Sequence, residues 1–243
     1  MKRGGAAIVG LAVLIVACGV WWFLLHRTAA WRPALTEREI ATRVLAEYLS
    51  TRFPGSKALV IANPFSQRPG QSAEISAFDK AGIRGLRTGS KTPDSITVAY
   101  PALRPEFDQN PQSVYVDPKT TTPLSFLVAG NAFDALAERN PDSDLIVSLI
   151  GLPLNVQNSE VWRSPEKPRF ALLLPDWRIL GGPETVRQAF KTGKLAAAVV
   201  GRPGAPPEDV APEGDYKAEF GRRFLLVTDE NIDELLQTNP KLF

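Results

Sequence analysis

The sequence predicts an α/β chain: an N-terminal transmembrane helix followed by a mostly parallel, Rossmann-like (doubly wound) sheet with helices on both faces. Three observations carry this. Residues 4–25 contain no charged side chain over 22 positions. At about 1.5 Å per helical residue, such a run crosses a hydrocarbon core of about 30 Å. Beyond it, short continuous apolar runs recur, of the kind buried on both faces of a parallel sheet. Six such runs alternate with four or five stretches of helical period. That alternation is the pattern of parallel strands joined by right-handed crossovers. The expected organisation is a membrane anchor with a juxtamembrane segment over 1–32 and one α/β domain over 33–243.

The apolar run is framed by Lys2 and Arg3 before it and by Trp21 and Trp22 near its far end, where amphipathic rings favour the membrane interface. Met1's amine, Lys2, Arg3 and the short N-terminal flank favour a cytoplasmic N-terminus and an extracytoplasmic domain. Arg27, Arg32 and Arg38 pull the other way. Ile15-Val16-Ala17-Cys18-Gly19 looks like a bacterial lipobox, which gives the alternative of a lipoprotein acylated at Cys18. Val20 to Leu25 stay apolar where a lipid tether turns polar, so Cys18 reads better as a small residue of a spanning helix. A cleaved secretory signal is a third reading, but no small-x-small cleavage site follows a short core.

In the domain, Thr36 to Glu39 read as a capping box, with Ile40, Val44, Leu45, Tyr48 and Leu49 at helical spacing after it. Pro54-Gly55 end that helix. Ala58 to Ala62 form the first strand. Ser72 caps a helix carrying Ile75 and Phe78, which frays at Gly82 or Gly85. Ser95 to Tyr100 are the second strand, stopped by Pro101. Residues 102–121 are irregular, with Val114-Tyr115-Val116 suggesting a short extra strand. Thr122 and Pro123 start a helix expected to run from Leu124 to about Arg139. Leu145 to Ile150 and Phe170 to Leu174 are strands. Gly181 to Glu184 open a helix through Phe190, and Leu195 to Val200 follow as the fifth strand. Residues 203–215, rich in Pro, Gly and acid, read as a surface loop. Phe224 to Val227 form the last strand, and Thr228 or Asp229 caps the final helix.

Composition removes whole classes of chemistry. The chain has one cysteine, Cys18, and one histidine, His26, both before residue 33. The domain therefore offers no disulfide, cysteine nucleophile, Cys/His zinc site or Ser-His-Asp triad. A net charge of +2, from 28 basic and 26 acidic residues, argues against nucleic acid as a partner. No cofactor is implied: Gly201-Arg202-Pro203-Gly204 lacks the spacing and lysine of a phosphate loop, and Gly181-Gly182 lacks the dinucleotide spacing. No metal site is implied either, since Asp142 and Asp144 precede their strand at the end opposite the expected site, and Asp142 reads as a turn residue.

Ligands of open α/β sheets sit beyond the carboxyl ends of the strands. The side chains expected there are Asn63, Ser66, Arg68, Asp176, Arg202 and Asp229, which form the candidate ligand-binding set. As turn or cap residues, Asn63, Asp176 and Asp229 would have a purely structural role. The strand endings Leu145–Pro153 and Leu195–Gly204 resemble one lobe of periplasmic binding proteins or a receptor-type sensor. That resemblance implies a tethered binding module for a small ligand or partner. Two other functions compete. One is a structural protein of the bacterial envelope that docks through the Pro-rich loops 101–123 and 203–215. The other is a carboxylate enzyme, which needs Asp176 and Asp229 to converge. A concave site with convergent polar groups favours the first reading, an exposed apolar patch the second.

Overall fold

The computed structural model describes residues 32–165 and 168–243. The expected anchor, residues 4–25, lies outside them, as do Cys18 and His26. Among the described residues no helix is long and apolar enough to cross a membrane.

The domain opens with α1 (Arg32–Arg52) and β1 (Ala58–Ile61), then α2 (Ala73–Gly89) and β2 (Ile96–Ala99). Three short helices follow, α3 (Pro105–Gln109), α4 (Leu124–Leu127) and α5 (Ala132–Arg139), before β3 (Leu145–Ser148). Then come α6 (Glu160–Arg163), β4 (Arg169–Leu173), α7 (Pro183–Lys191) and β5 (Leu195–Gly201). The described chain closes with α8 (Tyr216–Arg223), β6 (Phe224–Val227) and α9 (Ile232–Thr238).

The strands form one sheet in the order β2-β1-β3-β4-β5-β6. The first five run parallel and β6 runs antiparallel to β5. Alternate residues feed the two faces. Val60, Val147, Leu173 and Val199 pack under α1, α2 and α8 with Leu45, Leu86 and Phe220. Leu59, Ile146, Leu172 and Val200 pack under α5, α7 and α9 with Phe133, Phe190 and Ile232. Helices cover both faces, which is why the central strands read as continuous apolar runs rather than alternating ones.

Several expectations need correcting. Thr36 lies inside α1, its hydroxyl donating to the Arg32 carbonyl at 3.2 Å, so it caps nothing. α2 runs through Gly82 and Gly85 to Gly89. The glycines are there because α1 lies against them: a Cβ at Gly85 would collide with the Thr42 hydroxyl and the Glu39 carbonyl, and one at Gly89 with the Arg43 carbonyl. The helix expected over 124–139 is broken into α4 and α5. Val128 turns extended and pairs with Leu103, through Arg104 N–H to Leu127 O at 2.8 Å and Ala129 N–H to Ala102 O at 3.0 Å. Val114 to Val116 form no strand. α8, within a stretch the sequence left unassigned, is capped by Asp215, whose carboxylate accepts from the N–H groups of Lys217 and Ala218. α9 starts at Ile232 rather than after Thr228 or Asp229, because Asn231 ties the turn, accepting from Thr228 N–H and donating to Leu226 O.

β6 is antiparallel for a local reason. The chain leaves β5 at Arg202 and comes back beside it, Arg202 N–H donating to Arg223 O at 2.8 Å. Phe224 follows with no loop, so the strand starts where β5 ended and must run back.

Candidate functional site

The chain steps from β1 outward to β2, then crosses back to lay β3 on the other side of β1. The carboxyl ends of β1 and β3 therefore diverge into a crevice, the switch point at which open α/β sheets hold ligands. A cavity of about 250 Å³ lies there, lined by Arg38, Asn63, Phe78, Asp79, Thr121, Thr122, Leu149 and Leu174 among others. It is a little smaller than the roughly 300–1,000 Å³ of drug-sized pockets, which suits a compact ligand.

Six segments build it. α1 brings Arg38 to the end of β3, where its guanidinium donates to Leu149 O at 3.0 Å. The Phe78 ring covers the guanidinium at 4.3 Å. Burial pulls Arg38 down to about 10, partly offset by the charge of Asp79, so it stays cationic at neutral pH. Asp79, on α2, is buried. Its two oxygens accept from Asn63 N–H and from the Ser66 hydroxyl, each at 2.9 Å. Burial pushes its carboxyl up, against those two bonds and the field of Arg38. Asn63 Oδ1 accepts from Phe65 N–H and so starts the short turn over Pro64–Gln67.

The far wall is Thr121 to Leu124, and it is held from behind. Asp176 is buried and accepts from Thr120 Oγ1 at 2.7 Å and from Arg178 at 2.9 and 2.6 Å. Arg178 reaches on to Asp117 at 2.8 Å. Burial disfavours the Asp176 charge, but the bonds from Arg178 and Thr120 outweigh it and hold the carboxyl below its usual range. The last wall residue, Leu174, has φ 47° and is the one described non-glycine residue with positive φ. Its N–H is fixed on Val199 O at 2.8 Å, so the β4–β5 ladder imposes the conformation. Strain of this kind collects at ligand sites.

Of the six side chains expected at the site, Asn63 lines the cavity. Ser66 and Asp176 stand behind it, holding Asp79 and the 117–122 segment. Arg68 turns outward to an ion pair with Asp108 at 2.6 Å. Arg202 is exposed at the end of β5. Asp229 lies at the opposite end of the sheet, because β6 is antiparallel; its carbonyl accepts from Lys191 at the last turn of α7. Asp176 and Asp229 do not converge. Attention to strand ends alone missed Arg38, Phe78 and Asp79, which come from helices. One signal was present: Arg38 falls on the buried α1 stripe Thr42, Leu45, Leu49, where a charge is unexpected. Among the described residues no group of three or more His, Cys, Asp or Glu is placed to hold a metal.

A second cavity, about 220 Å³, lies at the amino ends of β1 to β3, lined by Leu49, Phe53, Val60, Leu86 and Val147 among others. Its rim hydroxyls bond one another, as in Thr92 with Ser95 at 3.0 Å, and no buried charge faces it.

No family model matches the chain, and no curated protein matches it. Solved structures do. A glucose-galactose binding protein, GanP, from Geobacillus stearothermophilus matches at 12% identity and TM-score 0.41, over 83% of this chain and 55% of its own. An arabinose binding protein, AraP, from the same organism matches at 13% and 0.44, over 82% and 63%. A XylFII-LytSN complex matches at 8% and 0.45, over 80% and 61%. The chain thus spans 55–63% of the length of these structures, and at TM-scores of 0.41–0.45 the likeness carries no argument about ligand or partner.

Proposed function

We propose that this chain is a membrane-tethered binding module for a small ligand, with the switch-point cavity as its site. One observation carries the reading: a half-buried guanidinium whose Nε is shut off from solvent, a buried carboxylate and an Asn turn converge on a mostly apolar-walled hollow at the carboxyl ends of β1 and β3. Few polar groups in a mostly apolar concavity is the usual make-up of a ligand site. Among the described residues no pair of acids converges there to act as acid and base.

The tether is residues 4–25, with the domain on the extracytoplasmic side. α1 supplies Arg38 within its first two turns, so the chain leading back to residue 31 departs on the cavity's side of the sheet. An alkaline phosphatase fusion after Phe243, active only outside the cytoplasm, reads the orientation. Inactivity of the fusion, with activity of a cytoplasmic reporter at the same position, reverses it.

Native mass spectrometry of the full chain, released from bacterial membranes in detergent, tests the binding reading. A stoichiometric small mass that leaves on denaturation is expected. It should be absent from Thr121→Trp, which fills the cavity mouth. A bare wild-type chain before and after incubation with cell extract would sink the reading.

A second reading has its own observation. Tyr115 is 74% exposed and Val210 42%, one in each Pro-rich loop. These suit docking to an envelope partner. Cross-linking in intact cells through a photoreactive residue at position 115 should then give a defined adduct.

A further inference from the structure

No acidic side chain among the described residues comes within ion-pair distance of Arg38, although the charge of Asp79 acts on it. A guanidinium carries five N–H donors and no acceptor. The protein supplies one acceptor, Leu149 O at 3.0 Å, and the Nε–H is buried with none. Arg38 forms no ion pair among the described residues, its neighbour Asp79 being engaged at both oxygens by Asn63 and Ser66. A cation with its Nε–H shut off from water and unbonded is costly and is normally neutralised by a partner anion.

The geometry also says what the partner is made of. Phe78 seals one face of the guanidinium. Its edge borders a cavity whose remaining walls include Pro123, Leu124, Leu149 and Leu174. Planar N–H forks pair with carboxylates through two parallel bonds. A phosphate would bring two charges and strongly hydrated oxygens to a hollow with one cation, one carboxylate and otherwise mostly apolar walls, and among the described residues no other lysine or arginine lines it.

We infer that the cavity takes a small monocarboxylate with a compact apolar body, its carboxylate on Arg38 and its body against Phe78, Leu124 and Leu174. This rests on the reading of the cavity as the ligand site. It goes further in naming the chemical class and the residue that selects it. Arg38 is the specificity-determining group. Asn63 and Ser66 act one step back, donating to the two Asp79 oxygens and holding that carboxylate on their own side of the cavity.

The test is calorimetric titration of the full chain in nanodiscs with butanoate, isocaproate and phenylacetate, alongside phenylacetamide and inorganic phosphate. At least one of the three carboxylates should bind, and phenylacetate should bind about tenfold or more tightly than phenylacetamide, the scale of a lost charge-assisted pair. Arg38→Met should erase that difference, and Arg38→Lys should keep part of it. The acid–amide comparison on the unaltered chain needs no variant to fold, and circular dichroism checks the variants. Equal binding of acid and amide, both abolished by Thr121→Trp, overturns the carboxylate assignment and leaves the ligand site standing. An acid preference that survives in Arg38→Met overturns the role of Arg38. Phosphate binding tighter than every carboxylate overturns the class. Absence of binding by all the probes overturns the inference, while native mass spectrometry judges the site separately.

Discussion

Thr42 shows how much one side chain can require of its neighbours. It is wholly buried, and its hydroxyl donates back to the Arg38 and Glu39 carbonyls at 2.9 and 3.2 Å. Gly85 of α2 sits directly over it, and only a residue without a Cβ fits. Gly85→Ala should therefore cost about 1–3 kcal/mol by overpacking, read as a fall in the urea midpoint. An unchanged midpoint would mean that α1 and α2 can part without penalty. Asp176 is a different case, a charge kept for its bonds. Its carboxyl is held below the unfolded value of 3.8, so its contribution is full above that pH and is lost as pH falls further. Asp176→Asn should be less stable than wild type near neutrality, with the gap closing in acid. It should also loosen the 117–122 segment and weaken ligand binding, without any contact between position 176 and the ligand.

At the scale of elements, caps and pairings override propensity. α8 is short and polar, and it persists because Asp215 satisfies two of its free N–H groups while Phe220 packs on Phe224. Asp215→Ala should lower stability by about 1 kcal/mol in the same measurement. The break between α4 and α5 shows the reverse: a stretch with good helical residues gives up one turn because Val128 pairs with Leu103. Both outcomes depend on what lies across the fold. The α8 signal, an Asp followed by apolar residues four apart, could have been read in the sequence. The Leu103–Val128 bridge, 25 residues apart, could not.

Across the whole molecule, Arg223 joins three distant parts of the chain. It is buried and donates to Glu219 on its own helix at 3.1 Å, to Glu37 of α1 at 2.5 Å and to the Val210 carbonyl at 2.7 Å. The loop over 203–215 is thereby pinned to α1. Burial pushes Glu37 up to about 7, against the pull of Arg223, with Glu208 and Glu219 adding to the rise. The folded chain thus holds a proton that the unfolded chain, at 4.5, releases. This contribution is complete below about 4.5 and is lost as pH rises through about 7. Wild-type stability should carry that downward slope, and Glu37→Gln should flatten it. Equal slopes in the two proteins would place the titration elsewhere.

By itself the sequence determined the strands and their class. Ala58–Ile61, Leu145–Ser148, Leu195–Gly201 and Phe224–Val227 are apolar but for Ser148 because both faces of the sheet are covered, and burial of that kind is written into composition. It also determined that the domain has no thiol or imidazole to work with. Only the tertiary structure decided the direction of β6, which follows from where α8 delivers the chain and which carried Asp229 away from the other strand-end residues. Only it decided the membership of the cavity as well. Arg38 and Asp79 stand in helices at positions chosen by the close approach of α1 and α2, an approach set by glycines whose neighbours are 40 or more residues away. Strand ends can be located one run at a time, whereas a site is made of side chains that meet only after the layers have packed.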